Sequence, residues 1–576
     1  MAEWIIAEEN FIDENADSAI DPGIAAILRK RKVPAGSMAD FLALRPRTTY
    51  DPFLLPDMRE AVALILSCAQ QKKQVCVYGD YDADGVTSTA LLVQVMSLLF
   101  EKHMYYVHSR FTDGYGLNKA AVKRLHEQGA ELLITVDCGS TSFDEVDYAK
   151  ELGMEVIVTD HHTPDETKTM NCLFVNAKRS CSVYPFRELS GCGVAFKLAQ
   201  ALQRTLDQQG SSLFPKSFLN SLLDLVAIST VADVVPLLDE NRSLVKYGLD
   251  YINDRRRPGL KTLLSVLDQE DKKIDSDRIA YLLAPNINAL GRMDSAAIAV
   301  ELFSGLTPGG SPSPDLVSLA VKMRDCNLAR KAEQEKTWSI CSKVLQSEDC
   351  GELFPVILAE GAHEGVAGIV AGNIKESLYR PVCILTPGKD GLLKGTGRSV
   401  PGINLYDLLN ASSSLFVRYG GHAGACGLTM APEGLPQLRS RLQQQVAQLL
   451  EQDPDILSDK LFIAKDLATA EKTLDFAEKL LLLEPDGEAN PRPLFCLRNA
   501  RPLNLKRMGS EGQHLRFAAQ CADGVTVDCV LFKRAEEFFS LLENAFYVDV
   551  AGELGINQFN GSRRLQFIVH DIKGVV

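Results

Sequence analysis

The stretch VCVYGDYDADGVTSTALL, residues 75–92, sets Asp80, Asp82 and Asp84 at alternate positions just before a glycine. Like charges at that spacing repel unless something positive sits among them, so a metal ion is the first expectation. An EF-hand calcium loop opens with the same D-x-D-x-D-G pattern but needs a bidentate Glu at its twelfth position. Counting from Asp80, that position is Leu91, inside an apolar run. The flanks disagree with calcium too. QVCVY is β-branched and aromatic, as in a buried strand, while VTSTALLVQVMSLLF carries Leu, Val and Met at helical spacing. Strand, acidic turn and helix make an α/β arrangement, in which ligands bind at the carboxyl ends of strands. An ordinary strand-to-helix loop carries one Asp as an N-cap; three make that the minority reading.

Other strand ends should then supply more ligands. AELLITVDCGST (130–141) is an apolar strand ending in Asp137 and Gly139, and GMEVIVTDHHTPD (153–165) is another ending in Asp160, His161 and His162. LLDLVAISTVADVVPLLDEN (222–241) is read as a further apolar strand, with Asp233 ahead of a proline. Helical patterns such as NKAAVKRLHEQG and FDEVDYAKELG lie between, which predicts a parallel, doubly wound sheet. Singly, Asp137 could cap a helix and a strand-end histidine is more often structural. Four such clusters at successive strand ends are hard to obtain by accident. Mixed Asp and His ligands suit manganese, magnesium or zinc.

DYDADG, VDCG, ADVVPL and the Asp-His-His at 160–162 resemble the motifs of the DHH phosphoesterase family. SRFTDGYGLN (109–118), APNINALGRMDSA (284–296), HEGVAGIVAG (363–372), KGTGRS (394–399) and RYGGHAGACGLTM (418–430) are similar, in order, to segments of its single-strand-specific 5′→3′ DNA exonuclease branch. The tail VDVAGELGINQFNGSRRLQFIVHDIK resembles that branch's terminal nucleic-acid-binding module, so the resemblance covers nearly the whole chain. It implies a DHH-type doubly wound parallel-sheet catalytic domain, a long connecting helix, a second α/β lobe of DHHA type and a C-terminal β-barrel of OB type. It also implies metal-dependent degradation of single-stranded DNA to 5′-mononucleotides, in recombination and repair. Two divalent ions, Mn2+ or Mg2+, would act on an in-line displacement at phosphorus.

The same resemblance assigns residues. Asp82 and Asp84 would bind one ion each and Asp137 would bridge them, with His161 and Asp233 completing the ion held by Asp84. Asp80 stands where shorter relatives carry a differently spaced histidine; position 78 is Tyr here, which leaves Asp80 either a weak ligand or an outer partner. Asp160 would orient an imidazole. His162 would face the scissile phosphate, or else be a hydrogen-bonded structural histidine. Arg110, Arg292, Arg398 and Ser399 would hold phosphates on the 5′ side, where the planar arginine fork suits the task. His422 would contact substrate from the glycine-rich turn GGHAGACG, whose backbone N–H groups could approach phosphate. His363 and Glu364 receive no role. A narrow channel between the lobes would exclude duplex. Phe495, Phe532 and Phe559, beside Arg563 and Arg564, are candidates for base stacking, though each reads more readily as barrel core.

The chain is 576 residues long, 46% hydrophobic, with a formal net charge of −14. That length predicts three or four domains. Residues 1–50 are read as an N-terminal extension with RKRKVPAG a solvated basic loop, 51–250 as the catalytic domain and 251–351 as a helical connector. Residues 352–450 form the second lobe and 460–576 the barrel. Asp315 to Leu345 lacks Gly and Pro and predicts a helix of about 45 Å, N-capped by Asp315. The negative charge weighs against a nucleic-acid binder. Arg492, Arg498, Arg501, Lys506 and Arg507 lie in an acid-free stretch that could form a local basic patch, and metal ions would offset the site acids. Fourteen cysteines without a C-x-x-C pair, no secretory h-region and no membrane-length apolar run predict a cytoplasmic protein without a membrane partner. Single-stranded DNA is the expected partner. Single-strand-binding protein and a RecQ-type helicase follow from the resemblance, and a monomer is expected. Two other readings stand beside this one. A hydrolase of short oligonucleotides, cyclic dinucleotides or pyrophosphate would not need the barrel. A catalytically retired scaffold would have lost metal ligands that are all present here.

Overall fold

The computed structural model describes residues 3–6, 20–109, 116–215, 217–347, 350–388, 390–559 and 561–575. Two compact units divide the chain, the larger comprising Trp4–Gly291, Ser295–Arg324 and Phe462–Val576, the smaller Asp325–Leu461 together with Arg292–Asp294 and the first residues.

In the larger unit, five parallel strands form one sheet: β1 (Val75–Gly79), β2 (His103–Val107), β3 (Leu132–Val136), β4 (Glu155–Thr159) and β5 (Leu173–Val175), in the order 2-1-3-4-5. Every residue of β1 and β3 is buried, which accounts for their unbroken apolar runs. The winding reverses between β1 and β3, and this switch point opens a crevice at the carboxyl ends of the strands. Helix α1 (Ala83–Leu99) follows β1, is apolar on nearly every side and is correspondingly buried. Helix α2 (Gly191–Gln208) begins at the same crevice.

Residues 222–241 are not a strand. Leu223–Ala232 is helix α3, with Asp233 at its C-terminus, and Asp239–Asn253 is helix α4. A helix buried all round shows no polar face, so its apolar run mimics a buried strand. Helix α5 (Ala284–Met293) continues from a π-helical turn at Ile279–Leu283. Helix α6 (Leu316–Ser347) runs uninterrupted for 32 residues, and Asp315 accepts the Ser318 N–H at 3.0 Å as its cap.

The smaller unit holds a mixed sheet of β6 (Val356–Leu358), β7 (Val382–Pro387), β8 (Leu393–Arg398), β9 (Phe416–His422) and β10 (Ala425–Met430), with helix α7 (Glu364–Leu378) packed on β7 and β8. GGHAGACG is therefore not an open phosphate-cradling loop. Gly420, Gly421 and Gly427 are strand residues, His422 pairs with Ala425, and Ala423–Gly424 form the turn of a tight hairpin.

The C-terminal strands are β11 (Leu494–Met508), β12 (His514–Gln520), β13 (Thr526–Leu531), β14 (Val548–Phe559) and β15 (Ser562–Gly574). They run β11-β12-β13-β15-β14 and close through pairing of β14 with β11, which removes the free edges. Phe495 is fully buried and meets Phe476 edge-on, so it is core. Phe532 is 50% exposed; the side chain of Phe559 lies outside the described residues.

The N-terminal segment is no free extension. Ile24, Ile27 and Leu28 of the helix Pro22–Lys30, with Met38 and Phe41, join the same hydrophobic cluster as Phe495, Phe517 and Phe567 of the barrel. The basic loop is partly fastened: Arg31 donates to Asn490 Oδ1 and the Pro491 carbonyl, and Lys30 to the Ala464 carbonyl. The expected basic patch is largely neutralised. Arg492 pairs with Asp277 and Asp486, Arg498 with Asp466 and Asp549, and Arg507 with Glu536.

Lys197 of α2 and Glu240 of α4 form a fully buried ion pair, Nζ to Oε1 at 2.8 Å. Lys197 also donates to the Tyr50 carbonyl, and Thr49 Oγ1 and Tyr184 OH donate to Glu240. Breaking such a pair leaves an uncompensated buried charge, so Glu240→Ala should cost about 3–5 kcal/mol, read from urea unfolding at neutral pH. The paired change Lys197→Met with Glu240→Leu should recover only part of that loss, because the buried Tyr184 hydroxyl loses its acceptor.

Candidate metal centre

The turn after β1 places three carboxylates in the crevice. Asp82 N-caps α1, accepting the Asp84 and Gly85 N–H groups at 3.0 Å each. Asp84, in the first turn of that helix and 2% exposed, accepts the Gly191 and Cys192 N–H groups at 2.7 and 2.8 Å. Ser229 Oγ adds a third bond at 2.6 Å. The N-terminus of α2 thus stabilises this anion. Asp137, immediately after β3, has φ +56 and is 2% exposed. A Cβ on Gly191 would lie 2.7–2.9 Å from the Asp137 side chain, so α2 can approach only because residue 191 is glycine.

Asp160, His161 and His162 follow β4, and Asp233 arrives from the end of α3. His161 Nε2 lies 3.1 Å from Asp137 Oδ1, 3.5 Å from Asp233 Oδ2 and 3.6 Å from Asp84 Oδ2. Donor atoms of Asp84, His161 and Asp233 fall within 4.8 Å of one another, as do those of Asp80, Asp82 and Asp137, and Asp137 also groups with Asp160, His161 and His162. All five residues singled out by sequence as ligands, and Asp80, are therefore gathered at one crevice.

The electrostatics are those of donors short of a cation. Burial, reinforced by Asp80 and Asp84, pushes Asp82 up to about 7. Burial and Asp84 push Asp233 up to about 8 and lift Asp137 well above the carboxylate range. Burial lowers His161, favouring the neutral imidazole that binds metal. Among the described residues, Asp137 Oδ1 and both ring nitrogens of His161 lack a hydrogen-bond partner. Buried orphans of this kind are costly, and a divalent cation between them would satisfy them.

His162 behaves differently. Its Nδ1 meets Asp160 Oδ1 at 2.8 Å, which leaves Nε2 pointing away. Burial opposes its charge, but the Asp160 hydrogen bond together with the charges of Asp160, Asp233 and Asp84 outweighs that and pushes it up to about 9. Asp160 is held well below the carboxylate range: burial works against its charge, while bonds from His162 and from the Ser140 N–H override it.

Sequence reasoning missed four contributors. His108, directly after β2 and 1% exposed, sets Nε2 3.1 Å from Asp80 Oδ1 and stacks on Tyr78. An imidazole thus does stand beside Asp80, from the adjacent strand; its signal is a histidine closing the run HMYYVH. Asn288 of α5 accepts the Ala83 N–H at 2.7 Å and fixes the acidic turn. Ser229 and Gly191 complete the cradle of Asp84, and only the Ser-Gly helix start at 190–191 hints at that.

In the smaller unit, Arg398 and His422 flank Ala425 on neighbouring strands. The Arg398 guanidinium lies against Gly368 in the second turn of α7, and Arg292 Nη1 donates to the Gly365 carbonyl in its first. His363 caps that helix through Nδ1. Ser399 is buried, its hydroxyl donating to the Ile403 carbonyl at 2.8 Å. Arg110 lies outside the described residues.

A switch-point sheet with acids and an imidazole at its strand ends is the arrangement of the DHH class, and the DHH family N-terminal domain matches residues 74–230. The DHHA1 domain matches 352–448 and the RecJ OB domain 463–571. Single-stranded-DNA-specific exonuclease RecJ of Dickeya dadantii is 33% identical over 570 residues, 97% of each chain. Its Escherichia coli counterpart is 34% identical, with 90% of each chain covered. The crystal structure of RecJ in complex with Mn2+ from Thermus thermophilus superimposes with a TM-score of 0.82 at 30% identity, covering 100% of this chain and 80% of that one. The chain belongs to the RecJ family.

The raised carboxyls set a pH dependence. They take up protons more readily in the fold than when unfolded, so the metal-free fold loses stability as pH rises from the ordinary carboxylate range to about 8. A cation binds the deprotonated donors and opposes that loss. The melting temperature gained on adding Mg2+ should be larger at about pH 8 than at about pH 5.5. A gain that shrinks with rising pH, measured by differential scanning fluorimetry, would contradict the assignment.

Proposed function

We propose that this chain is a metal-dependent 5′→3′ exonuclease that hydrolyses single-stranded DNA to 5′-mononucleotides, serving recombination and repair. The observation that carries it is the shared position of Asp137, which belongs to the donor group of Asp80 and Asp82 and also lies 3.1 Å from His161. One cation would be held by Asp84, His161 and Asp233, a second by Asp82 with Asp80, and Asp137 would serve both. When bound, a pair of Mn2+ or Mg2+ ions supplies Lewis-acid activation of the attacking water and of the scissile phosphate.

The chain's own residues do the rest. Gly191, Cys192 and Ser229 hold Asp84 aimed into the crevice. Asp160 accepts from His162 Nδ1–H and favours the imidazolium, so Nε2–H would donate to a non-bridging oxygen of the phosphate. Arg292, Arg398 and His422 would engage phosphates on the 5′ side, with Arg110 joining them on the family pattern. Ser399, bonded to Ile403, would act by shaping the turn. In the barrel, Phe532 is an exposed ring suited to stacking on a base. No helix among the described residues is long and apolar enough to cross a membrane; we place the enzyme in the cytoplasm, acting as a monomer beside single-strand-binding protein and a RecQ-type helicase.

Digestion of one strand labelled at either end, with Mn2+, should release mononucleotides from the 5′ end only. Cleavage of dinucleotides with none of long strands would favour a short-oligonucleotide hydrolase instead. Asp137→Ala should lower turnover by more than the roughly 100-fold typical of outer-shell changes while strand binding, read by fluorescence anisotropy, persists. Near-normal turnover would remove the shared-ligand role.

A further inference from the structure

Asp233 is the member of the cluster that reaches the crevice from a helix end rather than a strand. It closes α3, and the next residue, Val234, takes φ +57 and is 64% exposed. A β-branched residue in the left-handed region is strained, and such a conformation persists only where its flanks over-determine it. Upstream the flank is α3. Downstream it is the loop that leads into the barrel. The Leu237 N–H donates to the Glu488 carbonyl at 2.9 Å, and the Leu237 side chain occupies the space that a Cβ on Gly487 would need, 2.6 Å from Leu237 Cδ1.

Two residues into α4 beyond Glu240, the 2%-exposed Arg242 reaches the same loop. Its guanidinium donates to the carbonyls of Leu482, Leu483 and Glu484 at 3.0, 2.9 and 2.8 Å. The loop itself is stiffened by Asn490, fully buried, whose Nδ2 donates to the Leu483 and Pro485 carbonyls at 2.9 and 2.8 Å. A guanidinium satisfied by carbonyls alone, with no carboxylate, is a mechanical tie: it fixes backbone to backbone.

We propose that loop 482–490 braces the metal centre: fastened through Leu237 and Arg242, it holds the Val234 turn and thereby sets the position of Asp233. The inference rests on the reading of Asp233 as a metal ligand. Val234 and Arg242 are then positioning residues, and attachment of the barrel is coupled to the affinity of one ion.

The test uses the full chain titrated with Mn2+ alone, counting free ion by electron paramagnetic resonance, with thermal melts alongside. Arg242→Met removes the guanidinium tie and Leu237→Ala removes the side chain packed on Gly487; each should weaken binding of one of the two ions about tenfold, the lower end for an outer-shell change. Arg242→Met should also lower the melting temperature; should it fail to fold, Leu237→Ala decides alone. Asp233→Asn serves as the reference and should lose that ion. Wild-type isotherms for folded Arg242→Met or Leu237→Ala beside a deficient Asp233→Asn would overturn the brace and leave the ligand reading standing. A wild-type isotherm for Asp233→Asn would remove the ligand reading itself, and the brace with it.

Discussion

Mutual repulsion among carboxylates packed into one crevice governs this molecule. Asp80, Asp82, Asp84, Asp137 and Asp233 share a space where burial weakens solvent screening. The fold answers with backbone N–H groups: two for Asp82, two for Asp84 and three for Asp160. Two of these acids are served by helix N-termini, α1 for Asp82 and α2 for Asp84, where the aligned peptide dipoles favour negative charge. Asp137 Oδ1 and the His161 ring receive nothing comparable. The uncompensated charge is thus concentrated at the atoms that face one another, and a cation is the remaining way to neutralise it.

That division also separates the two adjacent histidines. His161 is nearly enclosed and has three carboxylates within 3.6 Å of one nitrogen, yet burial keeps it neutral and so able to donate a lone pair. His162 is 43% exposed at its side chain and is tied to Asp160. Asp160, aimed at Nδ1 by three backbone N–H groups, keeps it protonated with help from the charges of Asp233 and Asp84. One imidazole is suited to a metal and its neighbour to an anion.

How much of this is legible in sequence follows from how local each feature is. The strands β1, β3 and β4 are short apolar runs that each stop at an acid, so element and ligand are read together. The 32-residue helix α6 is legible because nothing in its sequence interrupts the pattern. Helix α3 reads as a strand because burial on all sides erases its amphipathic signature. The hairpin β9–β10 reads as a loop because glycines, which punctuate loops, here sit inside strands. His108 meets Asp80 from a strand that is adjacent in space but distant in sequence, and no spacing rule reaches it. The arginines after residue 490 look unopposed in sequence because the acids that neutralise them, Asp277, Asp466 and Asp549, come from other elements.

The same ion pairs bear on how a chain of net charge −14 can engage a polyanion. Arg492, Arg498 and Arg507 are engaged, whereas Arg501 and Lys506 are exposed and make no ion pair among the described residues. A cation already paired with an acid releases fewer counterions when it meets a phosphate, so the barrel's share of affinity would depend on salt less steeply than its number of arginines suggests. On the reading proposed above, stacking on rings such as Phe532 would then carry proportionately more of the grip, and stacking is indifferent to base identity. Such a surface would hold a strand without anchoring each phosphate, which would suit an exonuclease that advances one nucleotide after every cut and would leave phosphate recognition to Arg292 and Arg398.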